Sequence, residues 1–224
     1  MSNIFYYYRM HSKCGSSNSI DYISNEKCLK NFIKCISDTN NLTINIDNSG
    51  PEFYSQIHDI HKNITETSLG NGRSFLWFVS KAIQERSDQD IIYFVENDYI
   101  HLPNVDEYLI DGFSTGANYV TLYDHLDKYT DLYNGLRSEI FAGKKCYWRT
   151  TPSTCMTFAA KVKTLKQDFN LIKFFCDTSG PPADHQMFLG LGKNNRVLVS
   201  PMPSRCTHGE SCCISPYIEW EKFI

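Results

Sequence analysis

Apolar and polar positions follow two periods along this chain, and the switches between them mark its elements. Residues 3–9 (NIFYYYR) form an aromatic, β-rich run that ends in a polar loop from Ser12 to Asn18. Leu29, Phe32, Ile33 and Ile36 then fall on one helical stripe, with Ser24 or Asn25 in place to cap it. Leu42 to Ile46 has strand propensity and stops at the turn signal Asp47-Asn48-Ser49-Gly50. A short helix over Pro51 to Ile57 and an extended stretch near Ile64 follow. After Gly70-Asn71-Gly72, the residues Phe75, Phe78, Val79, Ala82 and Ile83 repeat at helical spacing as far as Glu85. Ile91 to Val95 is continuously apolar or aromatic, the pattern of a strand buried on both faces, and it halts at Glu96-Asn97-Asp98. A helix over 104–113 and a strand over 118–123 complete an alternation that predicts a mainly parallel sheet with helices on its faces.

The second half reads differently. Ser138 to Arg149 and Thr154 to Ala159 are two extended segments suited to antiparallel pairing, and Val162, Leu165, Phe169 and Ile172 give a helix. A further helix beginning near Pro182 carries Asp184, His185, Met187 and Phe188. Val197 to Val199 is a last strand, and the aromatic tail from Pro201 to Ile224 is expected to dock. With no repeat and no linker, one domain over 1–224 is expected, divided into halves at 1–123 and 124–224. Ligands of open α/β sheets sit beyond the carboxyl ends of the strands, which puts Asp47 and the 96–98 group at the functional edge.

Composition narrows the classes. The chain has 224 residues, 42% of them hydrophobic, with a net charge of −3, so it is neither disordered nor fibrous. Its slightly acidic balance argues against a nucleic-acid partner held through phosphate. No apolar run approaches the roughly 18 residues of a membrane span, and Met1 to Arg9 lacks the form of a secretory signal, so a cytoplasmic location is expected. The odd total of nine cysteines without a CxxC favours free thiols over a disulfide framework. Cys206, His208, Cys212 and Cys213 do gather zinc-type ligands in one stretch, but adjacent cysteines suit tetrahedral chelation poorly.

Two carboxylates at the end of a buried strand need a reason, because Glu96 and Asp98, at i and i+2, would share a face and repel. A hard divalent cation relieves that repulsion; the alternative is a solvated strand end with Asp98 capping the next turn. The run YFVENDY resembles the acidic Asp-any-Asp motif of nucleotide-sugar glycosyltransferases of the GT-A fold, with Glu96 in the first acidic place. Asp47 resembles the residue that meets the nucleotide base, and Gly70-Asn71-Gly72-Arg73 the segment lying along the nucleotide. Asp184 resembles the catalytic base of inverting members, and Thr207-His208-Gly209-Glu210 the C-terminal segment with a metal- or diphosphate-contacting histidine.

The resemblance implies a Rossmann-like GT-A α/β fold, with a mainly parallel central sheet, helices on both faces and a smaller antiparallel acceptor-side element. It implies Mn²⁺ or Mg²⁺ at Glu96, Asp98 and His208, and a nucleotide-diphosphate sugar as donor. Arg9, Asp47, Asn71, Gly72, Arg73, Glu96 and Asn97 are the expected donor contacts, with backbone amides of 70–73 available to phosphate. Asp184 would deprotonate a glycan or other hydroxyl acceptor in an inverting transfer. The sequence departs from the family in placing Glu for the first Asp, and residues 124–150 match no acceptor segment. Competing classes are a metal-dependent nucleotidyltransferase or phosphohydrolase, a non-catalytic carbohydrate-binding module and a zinc/thiol adaptor. His101 and His125 read more simply as packed or surface histidines, and Trp148 as core, with sugar stacking as its alternative.

Overall fold

The computed structural model describes residues 3–13, 19–133 and 135–224. The first strand, β1 (Ile4–Met10), is flanked in parallel by β2 (Leu42–Asp47) on one side and β4 (Ile91–Glu96) on the other, with β3 (Ile64–Thr67) outside β2. Beyond β4 the sheet continues through β9 (Phe158–Lys161), β6 (Tyr119–Val120), β10 (Leu198–Met202), β8 (Tyr147–Thr150) and β7 (Ile140–Ala142). Only β8 and β9 run against the other strands of this nine-stranded sheet. A separate antiparallel pair joins β5 (Tyr99–His101) to β11 (Cys206–His208).

Strand alternation sends successive side chains to opposite faces, and here both faces are covered. Tyr6, Tyr8 and Met10 of β1, with Tyr93 and Val95 of β4, pack into a core shared with α1 (Asn25–Cys35), α2 (Pro51–His58) and α4 (Val105–Ser114). Tyr7, Ile92 and Phe94 point the other way, into a core built with α3 (Asn71–Glu85), α5 (Val162–Cys176) and α6 (Asp184–Lys193). This two-sided burial is the physical content of the unbroken apolar run at 91–95. The Ser24 hydroxyl accepts from Lys27 N at 3.3 Å and caps α1, as its sequence suggests.

Two expectations change. The segment 138–149 folds back on itself as the β7–β8 hairpin, and Phe158–Lys161 is inserted between β4 and β6 in place of pairing with it. Residues 121–123 lie outside β6, which is reduced to Tyr119 and Val120. The β5–β11 pair was not legible, because each strand has only three residues. The tail does dock: Trp220 is buried against Ile100 and Leu102, and Asn31 Nδ2 donates to the Phe223 carbonyl at 2.9 Å. Trp148 is wholly buried and donates to Asp111 Oδ2 at 2.9 Å, so it belongs to the core.

Candidate active site

In register, Arg9 stands beside Glu96, and Asp47 beside Thr67, so the carboxyl ends of β1, β2 and β4 share one edge. A cleft of about 690 Å³ opens there. Arg9, Asp47, Asn71, Glu96, Asn97, Asp98, Asp184 and His208 line it, together with Glu210. Gly72 and Arg73 do not. A Cβ on Gly72 would meet the Cys176 carbonyl at 2.3 Å, so this glycine is needed where α3 docks onto the chain after α5. Arg73 turns outward, with its Nε 3.0 Å from Asp177 Oδ1.

Arg9 occupies the floor. Its guanidinium pairs with Glu96 and donates to the Asn71 carbonyl, to Asn71 Oδ1 at 3.1 Å and to Ser74 Oγ at 3.2 Å. It therefore ties β4 to the start of α3. Burial pushes the Glu96 carboxyl up; Arg9 opposes that rise and the neighbouring Asp98 adds to it. Asn97 is also structural in its visible bonds, donating to the His11 carbonyl at 3.2 Å and the Lys13 carbonyl at 3.3 Å.

Asp47 uses both oxygens on its own chain. Oδ1 accepts from Thr67 Oγ1 and Leu69 N, each at 2.7 Å, and Oδ2 from Gly70 N at 2.8 Å and Asn48 Nδ2 at 2.7 Å. A carboxylate has about four acceptor sites, so in this conformation Asp47 holds the 67–70 loop and has none left for a base. The expected phosphate donors at 71–73 are likewise engaged. Asn71 N, Gly72 N and Arg73 N donate to the carbonyls of Ser179, Gly180 and Thr178, each at 3.0 Å. The open amides of this helix start are thus satisfied within the protein.

The acidic turn is different. Pairing of β5 with β11 sets His208 opposite Tyr99 and leaves its Nε2 3.3 Å from Asp98 Oδ2. Asp98 Oδ1 and His208 Nδ1 are buried without a hydrogen-bond partner among the described residues. Burial raises the Asp98 carboxyl above its ordinary range; His208 opposes the rise and Glu210 reinforces it. An orphaned carboxylate oxygen, an imidazole and further carboxylates form a donor set that fits a divalent cation.

Asp184 does not cap α6, whose N-cap is Ala183 without a side-chain bond. Its carboxylate instead reaches across to residues 154–156, accepting from Thr154 N at 2.9 Å, Thr154 Oγ1 at 2.8 Å, Cys155 N at 3.1 Å and Met156 N at 3.3 Å. Cys155 and Met156 adopt left-handed backbone conformations, with φ of 45° and 60°, that this carboxylate templates. Glu210 went unread as a site residue, its only signal being its place two positions after His208. His101 is buried away from the cleft, with Nε2 2.9 Å from Tyr93 Oη. Burial drives its pKa down to about 3.

No family model and no curated protein matches this chain. Solved structures do. GalNAc-T7 with UDP, GalNAc and Mn²⁺ superposes with a TM-score of 0.59 at 12% identity, over 92% of this chain and 43% of that one. TarS of S. aureus gives 0.52 at 11% identity, over 88% of this chain and 35% of that one. A CMP-2-keto-3-deoxy-manno-octonic acid synthetase complexed with CTP gives 0.55 at 9% identity, over 89% of both chains. The chain thus spans less than half of GalNAc-T7 and of TarS, and what it shares with those two glycosyltransferases is a GT-A-like fold.

Proposed function

We propose that the cleft binds a nucleotide-diphosphate sugar together with a divalent cation, and that the protein transfers the sugar to a hydroxyl acceptor with inversion. The observation that carries this is the buried Asp98 Oδ1, unpartnered among the described residues, beside His208 at the carboxyl edge of the sheet. An anionic diphosphate cannot approach Glu96, Asp98 and Glu210 unaided, because unit charges 4 Å apart interact by about 4 kcal/mol at an effective dielectric near 20. Arg9, on the cleft floor, is already paired with Glu96, and Lys13 is exposed among the lining residues. Mn²⁺ in the GalNAc-T7 structure agrees with a cation-assisted site.

Asp98 and His208 would hold the cation, with Glu96 sharing its charge through Arg9. Bound there, such a cation neutralises negative charge on a departing diphosphate. The residues of the chain do the rest. Asp47 and the 178–180 carbonyls fix the loop and helix start that wall the nucleotide side. Asp184, across the cleft, takes the acceptor proton as the hydroxyl attacks the anomeric carbon. Of its four donors only Thr154 Oγ1 sits on a rotatable bond, so an acceptor hydroxyl can replace it at Oδ1 while the backbone amides keep the carboxylate aimed.

One observation favours a second reading. The CTP-bound synthetase is covered along 89% of its own length, whereas the two transferases extend far beyond this chain. A nucleotidyltransferase would use the same cation to activate a nucleoside triphosphate and release pyrophosphate. A thermal-shift panel of nucleoside diphosphates, sugar nucleotides and triphosphates, with and without Mn²⁺, separates the two. Stabilisation of about 2.7 kcal/mol is expected at 100 times the dissociation constant. Mn²⁺-dependent shifts with sugar nucleotides and diphosphates support the transferase, shifts confined to triphosphates support the second reading, and a flat panel removes both.

A further inference from the structure

Three side chains converge at the mouth of the cleft. One ligand-capable atom from each of His208, Glu210 and Cys213 lies within 4.8 Å of the other two, and among the described residues no other three His, Cys, Asp or Glu side chains meet in this way. The backbone explains the convergence: β11 delivers His208, and Cys213 N donates to the Glu210 carbonyl at 2.8 Å, closing a turn that brings the thiol back. Cys213 Sγ is 3.9 Å from Glu210 Oε2. Cys206, near in sequence, is buried beside Tyr93 instead.

Tetrahedral zinc bonds of about 2.0–2.3 Å put neighbouring ligand atoms roughly 3.3–3.8 Å apart, so the observed spacing needs only rotamer adjustment. A second observation points to a ligand here. Among the described residues, Asp98, with a side chain only 9% exposed, has its Oδ1 unpartnered, and the adjacent His208 has its Nδ1 unpartnered. We propose that His208, Glu210 and Cys213 form a binding site for a thiophilic divalent cation of the zinc class, with Asp98 beside it. Thiolate, imidazole and carboxylate together match zinc or cobalt better than the oxygen-seeking cations. Binding converts the Cys213 thiol to a metal-bound thiolate and releases its proton to solvent. Because His208 belongs to both sets, a thiophilic ion would exclude the cation of the donor site; that consequence rests on the function proposed above.

The test is a titration of the reduced full chain with Co²⁺, without nucleotide, so that it succeeds or fails independently of the donor reading. A sulfur-to-cobalt charge-transfer band is expected at one ion per chain, lost in Cys213→Ser and retained in Cys212→Ser. Co²⁺ affinity should fall at least tenfold in His208→Ala and in Glu210→Gln. No band in the wild type, or a band that survives Cys213→Ser, overturns the site. If Cys213→Ser fails to fold, alkylation of the wild type mapped by mass spectrometry takes its place. Zn²⁺ should protect Cys213, and equal labelling with and without Zn²⁺ overturns the proposal.

Discussion

Asp98 Oδ2 and His208 Nε2 stand 3.3 Å apart because the three-residue strands β5 and β11 pair in antiparallel register. The next residue, Gly209, makes the approach feasible: a Cβ there would lie 2.7 Å from the Asp98 carbonyl oxygen and 3.0 Å from Ile23 Cγ2. Gly209→Ala should therefore push the two segments apart. A loss of about 1–3 kcal/mol is expected in urea unfolding, with weaker Mn²⁺-supported nucleotide binding. Unchanged stability and binding would show that the turn yields without disturbing Asp98.

Arg9, buried, and Glu96, half-buried, form an ion pair beneath the cleft. Arg9→Met leaves the half-buried Glu96 carboxylate without its partner, a change worth up to about 3 kcal/mol. Adding Glu96→Gln removes the stranded charge and should restore part of that loss. A double variant no more stable than Arg9→Met would assign the loss to the Asn71 and Ser74 contacts.

His101 gives the pH dependence. Its folded pKa of about 3 lies below the unfolded value near 6.5, so the unfolded chain takes up the proton first. Stability should fall as pH drops from about 6.5 toward 3, by up to about 1.4 kcal/mol per unit from this residue. His101→Gln keeps an acceptor for the Tyr93 hydroxyl and should flatten that slope between pH 6.5 and 5, read by urea midpoints. An equally steep slope in the variant would place the acid sensitivity elsewhere.

Asp184→Asn cannot accept all four hydrogen bonds that the carboxylate takes, so a stability loss of about 1–3 kcal/mol is expected beside the loss of transfer. Thr154→Val separates the two effects. It removes the hydroxyl that competes for Oδ1 and leaves the base in place. Transfer by Thr154→Val within about tenfold of wild type, against at least a hundredfold loss in Asp184→Asn, is the expected pattern. A product retaining the anomeric configuration would end the role of Asp184 as base.

The parallel block was legible because its strands are buried on both faces and its helices follow a clean 3.6-residue stripe, as Ile91–Val95 and Phe75–Ala82 show. The edge carrying the cleft followed from that order alone. What stayed hidden depends on contacts distant in sequence. Nothing local at 154–156 announces that Asp184 will bind it, and nothing at Gly70-Asn71-Gly72-Arg73 shows that residues 178–180 will occupy its amides. Short strands such as β5 and β11 carry too few residues for a period, so their pairing, and with it the arrival of Glu210 beside Asp98 and His208, emerges only from the assembled fold, although the family resemblance already puts Asp98 and His208 at one cation.

Occupation of the α3 amides by the carbonyls of Thr178, Ser179 and Gly180 has a thermodynamic corollary. With that helix start closed and Arg9 paired, the exposed Lys13 is set against Asp47, Glu96, Asp98, Asp184 and Glu210 among the lining residues, so on the function proposed above an anion entering the cleft must bring or await a counter-charge. Cation and nucleotide are then linked ligands: whatever factor the cation adds to nucleotide affinity, the nucleotide must add equally to cation affinity. Each alone should bind weakly and the two together strongly, so a preformed cation–nucleotide complex would be the species the cleft captures.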